Sequence, residues 1–311
     1  FEGKAIVMTS PLASRIVQIS DTHLSRRRPF FHHNWELLVD LLAAEEYDLI
    51  VCSGDMTTDG SDFEDELAFA AEQFRRIKRE VLFVPGNHDI GNSLPDVRGG
   101  ESVITAERRE AFIRHFGADF WVREFGTSLR LLGLNSMLFG SGLPAEAEQN
   151  EMIRAAASAR DGRRLMIFQH KPLYLASATD DKPTQGSLYP EHRNRLRQML
   201  STAGEVTICS GHIHDYKTDV WDNLQQIWAP STAFVIDTSG LLYPRYGVRR
   251  VGYLRHVLEG GRLGQEFVEP DCFIGMDLGN WMRAPGGFHA RYAKEPLRGL
   301  VLEERAACWT E

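Results

Sequence analysis

Short motifs of Asp, His and Asn recur down this chain, and each stands directly after a largely apolar run of the kind that forms a buried β-strand. Asp21 and His23 lie in Gln18-Ile-Ser-Asp-Thr-His-Leu24, Asp55 in Gly54-Asp-Met-Thr-Thr-Asp-Gly60, and Asn87 in Gly86-Asn-His-Asp89. His170 follows Leu165-Met-Ile-Phe-Gln169, and His212 and His214 stand in Gly211-His-Ile-His214. Polar ligand-type side chains gathered at strand ends, with helical patterns between the strands, restrict the chain to a layered α/β or αββα architecture. In such folds the loops at the carboxyl ends of the strands carry the chemistry.

The alternation is legible element by element. Strands are expected at 15–20, 48–53, 81–84, 165–168 and 206–209, each just ahead of a motif, with two short strands near 120–124 and 129–134. One helix is expected from Asn34 to Glu46, with Trp35, Leu38, Leu41 and Leu42 on one side. A capping box at Ser61-Asp-Phe-Glu64 is expected to open a second, running to about Arg79. Further helices are expected over 106–116, 145–160 and 191–200. Residues 218–268 carry strand patterns at 226–229, 233–236, 251–258 and 263–268, which fit a second sheet with Gly260-Gly261 as a hairpin turn.

The donor types narrow the chemistry. Imidazole, carboxylate and amide oxygen together suit borderline divalent ions such as Mn, Fe, Co or Zn, and neither a calcium cage nor a thiolate zinc site. Seven such donors serve two ions when one carboxylate is shared between them. Two metals about 3.5–4 Å apart activate a water and hold the attacking and leaving oxygens of an in-line displacement at phosphorus. Taken singly, Asp21 or Asp55 reads as a turn residue, and Asn87-His88 after Pro85-Gly86 as an ordinary turn. Their joint occurrence in this order reads as a dinuclear site.

The ordered set D-x-H, G-D-x(n)-G, G-N-H-[DE], a lone His and G-H-x-H resembles the motifs of the calcineurin-like metallophosphoesterase superfamily, over residues about 15 to 235. The resemblance implies a four-layer αββα sandwich of two mixed sheets with helices on the outer faces. It implies that Asp21, His23 and His214 bind one metal, that Asn87, His170 and His212 bind the other, and that Asp55 bridges. His88 would face the substrate, bonding phosphoryl oxygens or protonating the leaving group. Purple acid phosphatases carry a ferric-stabilising Tyr where this chain has Thr58, so a divalent pair (Mn, Fe, Zn or Co) is expected. Ser/Thr protein phosphatases carry an Arg in the second motif and a Glu ending the third, and this chain has neither. The forms Ile-Ser-Asp-Thr-His-Leu and His-Ile-His are most similar to bacterial class III cyclic-nucleotide and glycerophosphodiester phosphodiesterases. That branch often reads His-His-Pro-Pro where this chain has Gln169-His170-Lys171-Pro172, a departure that bears on substrate preference. The implied activity is hydrolysis of small phosphodiesters by a metal-bound hydroxide, with a phosphomonoesterase as the alternative. A nuclease and a non-catalytic protein-binding scaffold rank lower, the scaffold because that class usually has eroded ligands.

A net charge of −8 argues against a nucleic-acid polymer as partner and leaves a small phosphate ester as the expected one. The composition, 43% hydrophobic and 25% charged, is that of a globular domain, and no run is long and apolar enough to span a membrane. The opening stretch Phe1-Glu-Gly-Lys-Ala-Ile-Val-Met8 is too short to read as a secretory leader. Cys52 and Cys209 sit inside apolar runs, so a cytoplasmic, reduced protein is expected. Residues 1–269 are read as the catalytic domain. Residues 270–311, with Phe273, Trp281, Phe288, Tyr292 and Trp309, are read as a tail packed on the body or on a second copy in a homo-oligomer. The loop from Leu173 to Pro190 reads as a lid over the metals or as a surface excursion. Arg26-Arg27-Arg28 reads as a grip on substrate phosphate or as a solvated loop.

Overall fold

The structure, a computed structural model, describes residues 14–94, 102–159, 161–241, 243–259 and 261–283. In chain order its strands are β1 (Ser14–Ile19), β2 (Leu49–Cys52), β3 (Val81–Phe83), β4 (Trp121–Phe125), β5 (Leu129–Leu134) and β6 (Arg164–Gln169). They continue as β7 (Val206–Ser210), β8 (Lys217–Trp221), β9 (Leu224–Trp228), β10 (Tyr253–Glu259) and β11 (Arg262–Val268). The helices are α1 (His32–Ala44), α2 (Glu64–Phe74), α3 (Asn87–Ile90), α4 (Ala106–Phe116), α5 (Pro144–Ser158), α6 (Pro190–Met199) and α7 (Leu278–Arg283). A single 3-10 turn spans Pro29–Phe31.

Two mixed sheets result, ordered β11-β10-β1-β2-β3 and β4-β5-β6-β7-β9-β8. The strands that carry motifs are parallel neighbours, β1 to β2 to β3 in one sheet and β6 to β7 in the other. The antiparallel pairs β10–β11, β4–β5 and β8–β9 lie toward the edges. Strand alternation sorts the apolar side chains into three cores. Val17, Ile19, Ile50 and Cys52 pack outward with α1, α2 and α4 residues such as Leu38, Leu67 and Phe112. Leu132, Leu134, Ile167 and Ile208 pack outward with Ile153 of α5 and Leu196 of α6. Their alternates Ile16, Val51, Leu131, Met166, Phe168 and Cys209 meet between the sheets. The expected four-layer αββα sandwich is therefore present, because each sheet buries one face on the other sheet and one on helices.

Three expectations differ from the structure. The capping box does not form: α2 begins at Glu64 behind an extended Phe63, and the Glu64 carboxylate bonds Arg114 and His115 instead. Tertiary ion pairing has taken the residue the box needed, and α2 ends at Phe74 rather than near Arg79. Residues 218–268 split between both sheets, β8 and β9 extending one and β10 and β11 the other. Residues 233–236 form no strand. Pro230 interrupts the run after β9, and the Ser231 hydroxyl accepts the Ala233 and Phe234 amides while donating to Asp21 O. That turn draws the segment off the sheet and onto the first motif loop.

Of residues 270–280, three apolar side chains pack against described cores. Phe273 joins the core around α1, and Met276 and Leu278 pack against Phe31, Ala233 and Phe234. Phe288, Tyr292 and Trp309, and the Trp281 side chain, lie outside the described residues. Cys52 and Cys209 are free and buried, and Cys272 is free and exposed. No described helix is long and apolar enough to cross a membrane.

Candidate metal centre

All eight predicted site residues converge at the carboxyl ends of β1, β2, β3, β6 and β7. Backbone bonds stitch the first two motif loops together, Asp21 N–H to Gly54 O at 2.9 Å and His23 N–H to Asp55 O at 3.0 Å. Ligand-type atoms of Asp21, His23 and His214 lie within 4.8 Å of one another, as do those of Asp55, His170 and His212. His214 Nε2 stands 3.2 Å from Asp21 Oδ1 and 3.3 Å from His23 Nε2. His170 Nε2 stands 3.1 Å from Asp55 Oδ2, 3.2 Å from Asn87 Oδ1 and 3.1 Å from His212 Nδ1. Asp55 reaches toward both groups, its Oδ2 being also 3.9 Å from His23 Nε2.

The far side of three rings is fixed by backbone carbonyls. Ser53 O accepts from His170 Nδ1 at 2.9 Å, Phe234 O from His214 Nδ1 at 2.9 Å, and Gln185 O from His212 Nε2 at 3.0 Å. Each of these rings thus turns its other nitrogen, a lone pair in the neutral form, into the cluster. Ring nitrogens 3.1 Å apart and ringed by carboxylates need either a proton on one ring or a bound cation between them. Burial works to raise the Asp21 carboxyl, but the His214 imidazole overrides it and brings it down to about 2. Burial likewise opposes ionisation of Asp55, yet His170 and His88 hold it well below the usual carboxylate range. Burial pushes His212 down to about 3, with His170 and Lys171 adding to the effect, and pushes His23 down as well. His170 goes the other way: burial disfavours its charge, but Asp55 outweighs burial and lifts it to about 9. Ionised Asp21 and Asp55 and neutral His23 and His212 are in the states that divalent ions require, His170 would give up its proton to a bound ion, and the donor set fits two such ions.

The backbone carries the same signature. Asp21, His23, Asp55, His212 and His214 all adopt left-handed φ, between 43° and 71°. Among the described residues only Asp222, in the β8–β9 turn, shares that conformation without being glycine. Each such residue costs about 1–3 kcal/mol, and such strain collects at functional sites. Two glycines make room: a Cβ on Gly54 would strike the His170 ring, and one on Gly86 would strike the Asp55 carboxylate.

His88 adjoins both groups, a ring nitrogen lying within 4.8 Å of ligand-type atoms of His23 and Asp55. Its N–H donates to Asp55 Oδ1 at 2.9 Å, its Nδ1 meets Thr58 O at 2.7 Å, and its ring lies edge-on to His23 at 4.9 Å. Supporting residues tie these loops together, Asp89 from the third motif itself and Asp215 with Arg249 from positions that carried no sequence signal. The buried Asp89 carboxylate accepts from the Met56, Thr57 and Gly86 amides and the Thr57 hydroxyl, tying the second motif to the third. Asp215 pairs with buried Arg249 at 2.8 Å and accepts the Tyr246 and Gly247 amides, which anchors the loop beyond His214. The loop from Leu173 to Pro190 reaches the centre through Gln185. Its Tyr174 is buried in the helix-side core, and part of the loop lines a cavity of about 360 Å3. Of the three arginines, Arg27 and Arg28 are held in ion pairs and Arg26 is exposed. Arg27 pairs with Asp65 and Glu66, and Arg28 with Asp59, while Arg26 lies over the Phe69 ring.

Comparison with known proteins agrees with this geometry. The calcineurin-like phosphoesterase family model matches residues 14–216. Human serine/threonine-protein phosphatase CPPED1 is 30% identical over 168 residues, which is 50% of this chain and 50% of that protein. The chain thus spans about half the length of this relative. The 3',5'-cyclic adenosine monophosphate phosphodiesterase CpdA of Escherichia coli K12 is 27% identical over 241 residues, 73% of this chain and 80% of that one. The crystal structure of a dimetal phosphatase from Danio rerio superposes with a TM-score of 0.57 at 15% identity, covering 82% of this chain and 97% of that one. With the family match spanning every strand-end loop from Asp21 to His214, the chain belongs to the calcineurin-like phosphoesterase family.

Proposed function

We propose that this chain is a phosphodiesterase acting on small phosphodiesters. Asp21, His23 and His214 would hold one divalent ion, Asn87, His170 and His212 a second, with Asp55 shared. The observation that carries this reading is the facing of imidazole nitrogens, whose opposite nitrogens are committed to backbone carbonyls, across a space ringed by Asp21, Asp55 and Asn87. Two divalent ions there supply Lewis acidity toward a phosphoryl oxygen and make water a nucleophile near neutral pH.

The chain's own residues do the rest. Thr58 O fixes one nitrogen of His88 as the donor, and the bond from His88 N–H to Asp55 fixes the start of α3. We assign His88, in its imidazolium form with Nδ1–H kept on Thr58 O, the task of bonding a phosphoryl oxygen through Nε2–H and delivering that proton to the leaving alkoxide. Asp89 holds the loops that present Asp55 and Asn87, so a bound phosphoryl group meets a preorganised set of donors.

Two observations support a diester over a monoester. CpdA, a cyclic-nucleotide phosphodiesterase, aligns over most of both chains. Arg27 and Arg28, close to the first motif, are paired with carboxylates, which leaves them poor partners for the second negative charge of a monoester. A phosphomonoesterase is the second reading, supported by the phosphatase CPPED1. Free, buried Cys52 and Cys209 suit a reducing compartment such as the cytoplasm. The test is kcat/KM of the manganese-reconstituted protein on bis(p-nitrophenyl) phosphate beside p-nitrophenyl phosphate. A preference for the diester is the expected result, and a preference for the monoester would replace this reading with a phosphatase.

A further inference from the structure

Lys171 is buried almost completely beside the metal centre, and the reaction outlined above gives it no part. It follows His170 directly, two residues past the end of β6, and its backbone is clamped there. Its N–H donates to Ser136 Oγ at 3.0 Å, and its carbonyl accepts from Gln169 Nε2 at 2.7 Å. From that fixed base the ammonium donates to Asn92 Oδ1 and, at 3.3 Å, to Gln185 Oε1. Asn92 stands just beyond α3 and is itself pinned, its N–H donating to Ser102 O at 2.7 Å and its carbonyl accepting Ile104 N–H at 2.8 Å. Gln185 is held differently. It is half-buried in the stretch between β6 and α6, which has no regular secondary structure. Its carbonyl accepts from His212 Nε2 at 3.0 Å, while His212 Nδ1 faces His170 Nε2 at 3.1 Å.

A buried ammonium is costly to desolvate, and the bonds it makes are roughly twice as strong as neutral ones. Here they run from two anchored points, the end of β6 and the loop after α3, to a loop residue whose backbone orients a candidate metal ligand. We propose that Lys171 is a positioning residue for the second ion, holding Gln185 so that its carbonyl keeps His212 Nδ1 turned into the centre. The inference rests on the two-ion reading above. A proline at this position, as the similar phosphodiesterases often have, carries no side-chain donor with which to do this.

Metal binding tests this without recourse to turnover. Manganese titration by equilibrium dialysis would compare the unaltered protein with Lys171→Met, Gln185→Ala and the double variant. Lys171→Met keeps the bulk of the side chain and removes its donors. Gln185→Ala changes only a half-buried loop residue, and it decides the matter if the lysine variant does not fold. The unaltered protein should bind two ions. Each single variant should keep one ion at unaltered affinity and bind the other about tenfold to a hundredfold more weakly, the usual effect of losing a partner that orients a metal ligand. The double variant should lie within about threefold of the weaker single one, because both changes cut the same link. Electrostatics alone predicts the reverse for Lys171→Met: its charge is felt at His212, and removing a cation should tighten an ion held there. Tighter or unchanged binding of the second ion, equal weakening of both ions, or losses that multiply in the double variant would each overturn the proposal. A single ion in the unaltered protein would overturn the two-ion reading, and the proposal with it.

Discussion

Asp55 and His88 touch through a single hydrogen bond, the His88 N–H donating to Asp55 Oδ1 at 2.9 Å, yet the roles proposed for them are separable. Asp55 lies within reach of ligand atoms on both sides of the cluster, so its loss removes a donor from each ion. Asp55→Ala should bring bound metal from two equivalents to below one and cost at least about a thousandfold in kcat/KM. His88 adjoins His23 and Asp55, but its Nδ1 is committed to Thr58 O and its ring stands edge-on to His23. His88→Ala should keep both metals while kcat falls by about 10²–10⁴, the usual yield of general acid–base assistance. Metal analysis beside steady-state kinetics decides the pair of assignments. Loss of metal from the His88 variant would make that residue a ligand. At this scale the sequence was highly informative, because Asp, His and Asn at strand ends are chemically distinctive. Phe234 was not legible: a phenylalanine in an apolar run carries no mark that its carbonyl will orient His214.

Elements bring these residues together through the loops that follow them. The stretch from Pro270 to α7 is fastened beside the centre chiefly by buried Asn34 on α1. Its amide donates to Thr232 O at 2.9 Å and Ile274 O at 3.0 Å, and its oxygen accepts Ile274 N–H at 2.8 Å. Asn34→Ala would leave these backbone groups short of partners, and each such loss costs about 1–3 kcal/mol. Urea unfolding should show about 2–4 kcal/mol of destabilisation, and limited proteolysis should cut faster near residues 270–283. A change below about 0.5 kcal/mol would mean that the fastening lies elsewhere. The parallel strands were readable because buried runs such as Leu49–Cys52 are apolar on both faces. The start of α2 and the segment 233–236 were misread for one reason: distant partners, Arg114 for Glu64 and Asp21 for Ser231, outcompeted the local pattern.

Across the whole molecule, the two sheets share a polar thread inside an otherwise apolar interface. Gln18 of β1 donates to Ser53 Oγ at 2.9 Å and to Ser210 O of the opposite sheet at 3.3 Å, and His256 Nε2 meets Gln18 Oε1 at 3.0 Å. His256 Nδ1 is buried without a partner, so a second proton would have no acceptor, and burial pushes this histidine down to about 3. The unfolded chain would titrate near 6.5. A folded-state value below the unfolded one gives stability that is complete above about pH 6.5 and is lost as pH falls toward 3. Each pH unit in that window costs about 1.4 kcal/mol, so roughly 2–3 kcal/mol should be gone by about pH 4.5. His256→Gln removes the titration, and its stability should fall less steeply between pH 6.5 and 4.5 in parallel denaturant melts. Equal slopes for the two proteins would place the acid sensitivity in other groups.

The order of motifs along the chain carried the layered class, the parallel central strands and the eight residues of the centre. Those features rest on local chemistry: side-chain type, alternation, and glycine where a Cβ would collide. Folding in three dimensions chose which carbonyl orients His170, His212 and His214, paired Arg27 and Arg28 with Asp59, Asp65 and Glu66, and laid Met276 and Leu278 against Phe31 and Phe234. Each of those outcomes is a competition among partners far apart in the chain, and a one-dimensional pattern holds no information about which partner is nearest.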